Sequence, residues 1–152
     1  MIRKNYDGRT IFMNSTLVSK IQKNKLEEIR ISVLRNNKVD VRIYFYFPQE
    51  TEAQPTRKGL WLSFKNIPGI VSTLEKIVKK PDELLNVEIG STEKEQLRVY
   101  VNEYLGNKVV HIRSFYFKDK EYKPGKGISF TMPLVPQIAE GLRQSEKYRE
   151  KD

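Results

Sequence analysis

From residue 28 onward, apolar and polar positions alternate. Residues 28–34 (EIRISVL) put Ile29, Ile31 and Val33 on one side and Arg30 and Ser32 on the other, the pattern of a half-buried strand. Arg35-Asn36-Asn37-Lys38 follows as a polar turn, and Asn-Asn tolerates the positive φ that hairpins want. Residues 39–47 (VDVRIYFYF) predict the next strand, 48–57 a long loop and 59–64 the fourth strand. Then the period changes. Ile67, Ile70, Val71, Leu74, Ile77 and Val78 recur at helical spacing. Asn66 is placed to cap this helix, Pro68 falls in its first turn, Lys76, Lys79 and Lys80 suit its C-terminal end, and Pro81 stops it. Upstream, residues 9–13 predict a short first strand, 14–24 give no firm assignment, and 1–8 read as a basic arm. The first unit is ββββα, with its first strand the weakest.

The order then repeats. Residues 84–89 alternate at Leu85, Val87 and Ile89, and residues 96–104 set Leu97, Val99 and Val101 against Arg98 and Tyr100. Residues 105–108 turn, 109–118 and 126–132 predict a long hairpin, and Leu134, Val135, Ile138 and Leu142 mark a closing helix. Residues 144–152 have little to bury and predict a frayed, charged tail. Lys58-Gly59 and Lys126-Gly127 stand 68 positions apart, as do Pro68 and Pro136, Ile70 and Ile138, and Leu74 and Leu142. Arg42 and Arg113 are 71 apart, so the first copy carries three extra residues in its hairpin loop. Matched landmarks of this kind are left by a duplicated unit. The units divide at 1–80 and 81–152. A half of roughly 75 residues buries too little surface to stand comfortably alone, so the copies are expected to pack on each other.

Charge adds a partner class. There are 28 Lys+Arg against 19 Asp+Glu, a net +9, which favours polyanions. The absence of cysteine excludes disulfides, thiolate catalysis and cysteine zinc sites. MIRKNYDGRTIF lacks the apolar stretch of a secretory signal, and no run approaches the ~18 apolar residues of a membrane helix. A cytoplasmic protein with no membrane partner is expected. His111 is the single histidine, read as a strand residue at the sheet edge with no nucleophile beside it. Glu27-Glu28 and Asp82-Glu83 read as solvated charges, PGKG is too short for a phosphate cradle, and no metal-ligand spacing stands out. No enzyme, cofactor or metal site is expected.

His111-Ile112-Arg113 followed by aromatics, then Lys123-Pro124-Gly125-Lys126-Gly127-Ile128-Ser129, resembles the positive cofactor four family of transcriptional coactivators. Asp40-Val41-Arg42 and Pro55-Thr56-Arg57-Lys58-Gly59-Leu60 in the first unit are similar, with Thr56 replacing the turn glycine. Two units in one chain also look like the Whirly proteins and the mitochondrial guide-RNA-binding proteins of that superfamily. The resemblance spans residues 9–80 and 84–147. It implies an α+β fold of two ββββα repeats, with curved antiparallel sheets and the two helices packed together as an intramolecular pseudo-dimer. It implies largely sequence-independent binding of single-stranded DNA in transcription, replication or recombination. RNA binding by the same fold and a protein–protein scaffold are the alternatives, and further homo-oligomerisation stays open. Two departures stand out: the second basic turn is one residue shorter, and the first loop is acidic at Glu50 and Glu52.

Holding a single strand without a base code takes cations along the backbone and flat rings for unpaired bases. Arg57, Lys58, Lys123 and Lys126 flank the expected Pro/Gly turns and are the phosphate candidates, with Arg30 and Arg98 extending the basic surface. On the third strands one parity groups Arg42, Tyr44 and Tyr46 with Arg113, Phe115 and Phe117. The other groups Val41, Ile43, Phe45 and Phe47 with Ile112, Ser114, Tyr116 and Lys118. The family's stacking ring falls nearest Phe45 and Tyr116, which would need a bulge to join the arginine face. Both sets stand at this level. Tyr104 occupies the hairpin tip where the family has a second stacking ring, and Trp61 is either a base platform or a packing residue.

Overall fold

Ile29, Ile31 and Val33 point inward as their alternation predicts, and they meet Ile43, Val41 and Val39 of the neighbouring strand in antiparallel register. The computed structural model describes residues 15–150. The first unit runs β1 (Thr16–Gln22), β2 (Glu27–Val33), β3 (Lys38–Phe45), β4 (Gln54–Ser63) and α1 (Ile67–Lys79). The second runs β5 (Asn86–Ser91), β6 (Glu95–Tyr104), β7 (Asn107–Lys118), β8 (Glu121–Thr131) and α2 (Val135–Ser145). Each unit forms a four-stranded antiparallel sheet in sequential strand order. The inner rows of both sheets and the apolar stripes of both helices fill one continuous core.

The two helices pack on each other and are exchanged between the sheets. α2 lies over β1 and β2, while α1 reaches β5 and β6. Gly141 permits the first contact: a Cβ there would come within 2.5 Å of Ile31 Cδ1. Gly69 sits against Ile89 of β5 in the reciprocal contact. β8 also packs beside β4 without joining its sheet. The chain is therefore an intramolecular pseudo-dimer of two ββββα repeats. Among the described residues no helix is long and apolar enough to cross a membrane.

Several local expectations are corrected. The arm at 1–8 and the strand expected at 9–13 lie outside the described residues, and the first strand is β1, within the stretch that gave no assignment. A register shift between Leu17 and Ser19 breaks its alternation, which hides it from a period-two search. Both fourth strands begin earlier than expected, at Gln54 and Glu121, so the Pro/Gly segments are strand rather than turn. The second hairpin instead reverses at Asp119-Lys120, whose φ values of 53° and 65° make a type I′ turn. Asn66 makes no side-chain cap; a 3₁₀ turn over Phe64–Asn66 leads into α1. The tail is docked through Glu150. Asn37 and Glu150 exchange bonds of 3.0 and 3.5 Å, and Arg149 lies 5.6 Å from the Phe64 ring centroid. Polar docking of this kind leaves no hydrophobic signal in sequence.

Candidate nucleic-acid interface

With Val41, Ile43, Val99 and Ile112 in the core, the parity is settled: Arg42, Tyr44, Arg113 and Phe115 belong to the outer sheet faces. Phe45 and Tyr116 lie on the opposite parity, at strand ends that run past the core. Phe45 is half-buried with its ring 4.7 Å from Phe47, and Tyr116 is 44% exposed, paired with Glu95 and Lys123. The bulge that would reorient them is absent from the third strands. It falls on their partners: Arg42 pairs with Gly59 and Tyr44 with Pro55, while Arg113 pairs with Gly127 and Phe115 with Pro124.

Those bulges carry the basic residues assigned to turns. Arg42 Nη1 donates to the Thr56 carbonyl and Arg113 Nη1 to the Gly125 carbonyl, each at 2.8 Å, so an arginine at the equivalent position ties down each bulge. The residue paired with each arginine has no room for a Cβ. A Cβ on Gly59 would sit 2.5 Å from the Val41 oxygen, and one on Gly127 2.8 Å from both Arg113 Cγ and the Ile112 oxygen. Arg57, Lys58 and Lys126 are exposed on the bulged segments. Lys123 is half-buried and near Asp119 and Glu121, at 3.5 and 3.8 Å.

The outer face of the first sheet is occupied by its own ion pairs. Arg42 is 6% exposed and donates to Asp40 Oδ1 from Nε and Nη2, at 3.2 and 3.0 Å. Arg42 is thus buried in an ion pair of its own sheet. Asp40 Oδ2 is buried without a hydrogen-bond partner. Burial pushes the Asp40 carboxyl up to about 6, against the opposing pull of Arg42 and Trp61. Glu28, also buried, accepts from Arg30 Nε and the Tyr46 hydroxyl. Burial raises its pKa, but Tyr46, Arg30 and Lys20 outweigh that and hold it below the usual value. The Arg30 guanidinium caps the buried Tyr44 ring at 4.2 Å, so Tyr44 is no exposed platform. Trp61 is 44% exposed across from Asp40.

The second sheet carries different groups at the same positions. Gln96 stands where Glu28 does, His111 where Asp40 does, and Tyr100 where Ser32 does. His111 is not at the sheet edge, since β7 runs between β6 and β8. Its ring stacks on Tyr100 at 4.5 Å, and Tyr100 lies 5.9 Å from Phe115. Asn102 Oδ1, 2.9 Å from His111 Nε2, can only accept, so Nε2 carries the proton and Nδ1 accepts from Ser129 Oγ at 2.7 Å. Burial and the nearby Arg113 lower the His111 pKa, favouring this neutral form. Arg98 donates to Gln96 and Asn86, and Arg113 to Gly125 and Ser129, all neutral acceptors. Tyr100 and His111 escaped sequence reasoning as ring platforms; their register opposite each other was the missing signal. Tyr104 is on this face, 70% exposed, six residues and so about 20 Å along β6 from Arg98.

The model of the family described as Transcriptional Coactivator p15 (PC4) matches residues 91–140, from the end of β5 into α2. Over those residues the second unit is similar to that family. The first unit, outside the matched residues, repeats the second unit's strand order and carries a bulge at the same place, one residue longer. Among solved structures, a PC4 homolog from Burkholderia pseudomallei is 22% identical, covering 43% of this chain and 93% of its own, with a TM-score of 0.39. No curated protein matches the chain. Among the described residues no cluster of three or more metal-ligating side chains occurs.

Proposed function

We propose that this protein binds single-stranded DNA without strong base preference and acts in transcription, replication or recombination. One observation carries the reading. Arg98 and Arg113 lie side by side on the outer face of β6 and β7, hydrogen-bonded among the described residues to neutral groups alone, next to the rings of His111, Tyr100 and Phe115. Cations that track the backbone beside rings that accept any base are what a single strand requires. Lys126, exposed on the β8 bulge, extends the basic line, and Tyr116 and Tyr104 offer further rings. The net +9 supplies long-range attraction for a polyanion.

Fluorescence anisotropy with oligo-dT, the matched RNA and duplex DNA tests this. Binding should be tightest to oligo-dT and weaken with salt at a slope near −0.7 per neutralised phosphate. Lys126→Ala should weaken binding and flatten that slope. Phe115→Ala should cost about 1–3 kcal/mol of affinity and leave the slope nearly unchanged. Tighter binding to RNA would move the protein to RNA. No affinity for any oligonucleotide at ~50 mM salt, where phosphate contacts are strongest, would leave a protein-binding scaffold.

A further inference from the structure

We propose that the two repeats have divided the work, so that the second sheet alone grips the strand while the outer face of the first is held shut by its own carboxylates. The inference rests on the single-strand reading above and says where on the pseudo-dimer it applies.

The comparison is internal, position by position. Arg30 pairs in register with Arg42, and Arg98 with Arg113. In the first sheet each of these arginines lies beside a buried carboxylate, Arg30 by Glu28 and Arg42 by Asp40 at 3.0 Å. In the second, Gln96 and His111 replace those carboxylates, and neither arginine has an ion-pair partner among the described residues. Drawing Arg42 onto a phosphate would strand Asp40 in the interior, which costs more than an exposed contact returns. Arg98 and Arg113 would exchange only neutral partners. The rings beside these arginines differ too: His111, Tyr100 and Phe115 form a ladder, with Arg98 6.0 Å from the Phe115 centroid, whereas Asp40, Ser32 and a buried Tyr44 with Arg30 closer, at 4.2 Å, occupy the equivalent places. Two positions run the other way. The exposed Trp61 stands on the first outer face where Ser129 stands on the second. At the edge strands Lys20 faces Arg30 and Glu88 faces Arg98, so the division is one of pairing and burial, not of net charge. Glu88 is held by Gln96 Nε2 at 2.8 Å.

The test is anisotropy and stoichiometric titration of the full chain with an oligo-dT of about ten nucleotides, within the span that one compact sheet domain covers. Wild type should take up one oligonucleotide per chain. Gln96→Glu gives the second face the carboxylate of the first and should weaken binding about tenfold, whereas Glu28→Gln should leave it unchanged or tighter. Arg98→Gln should lose about tenfold, and the matched first-sheet double variant Glu28→Gln/Arg30→Gln less than about twofold; tenfold corresponds to 1.4 kcal/mol. Equal losses from the two arginine changes, or two oligonucleotides per wild-type chain, would overturn the division while leaving the proposed function intact. Should the double variant melt early, Gln96→Glu decides alone: a loss below about twofold in a folded protein overturns the proposal. Absence of wild-type binding would instead sink the functional reading itself.

Discussion

At the scale of single residues, Asp40 gives the clearest test. Its pKa, raised by burial to about 6, means that the folded state holds this proton more tightly than the unfolded chain, where an aspartate titrates near ~3.9. The sign follows. As pH rises from about 4 to 6 the unfolded state has already released the proton, so stability falls across that window and levels off above it. A shift of this size is worth about 3 kcal/mol at neutral pH. Asp40→Asn should therefore be more favourable relative to wild type at pH 7 than at pH 4.5, read as the difference in thermal midpoint at each pH. Glu28 acts oppositely: its pKa is lowered, so its contribution is present above its unfolded pKa and is lost as pH falls through the folded one. A difference between Asp40→Asn and wild type that does not vary with pH would show Asp40 ionised throughout.

At the scale of elements, the two bulges set the geometry of the outer faces, and their glycines are tight. Gly59→Ala should destabilise the protein by about 1–3 kcal/mol, since its Cβ would press on backbone at 2.5 Å. Gly127→Ala should destabilise as well, since its Cβ would press at 2.8 Å on the Ile112 carbonyl oxygen and on Cγ of an Arg113 anchored to Gly125. Denaturant unfolding measures both, and equal midpoints for Gly59→Ala and wild type would refute the packing argument. The same bulges mark the limit of what the sequence made legible. Helix stripes and inner strand rows were legible because burial imposes a period on them, from Ile29 through Leu142. The parity of β3 was not, because Val39 to Tyr44 are buried on both faces and alternation carries no contrast there. Lys123 and Lys126 were assigned to a turn because Pro and Gly usually signal one. Pro124 and Gly125 instead belong to the bulged strand, and the reversal falls at Asp119-Lys120. Arg42 looked like a twin of Arg113, but burial and pairing with Asp40 depend on neighbours across strands that a linear pattern does not show.

At the scale of the whole molecule, the exchanged helices make the halves interdependent. Neither sheet has its full cover without the helix encoded in the other unit. The intact chain should unfold in a single cooperative transition. Residues 1–80 and 81–152 produced separately should each lack a sharp melting transition, and mixing them should restore one, as followed by circular dichroism. A sharp independent transition in either fragment would count against the shared core. Cross-helix contacts such as Arg143 with Glu75, at 3.5 Å and largely exposed, contribute little to this coupling; the apolar stripes carry it.

The exchange also has a consequence for synthesis. Ile21, Ile29 and Ile31 sit under a helix that ends at Ser145, so during translation the first sheet emerges from the ribosome well before its lid is made. At ~5–20 residues per second, that greasy surface stays bare for several seconds on every nascent copy. Production of this protein should accordingly lean on holding factors at the tunnel exit, and a ribosome stalled before codon 135 should release an aggregating product.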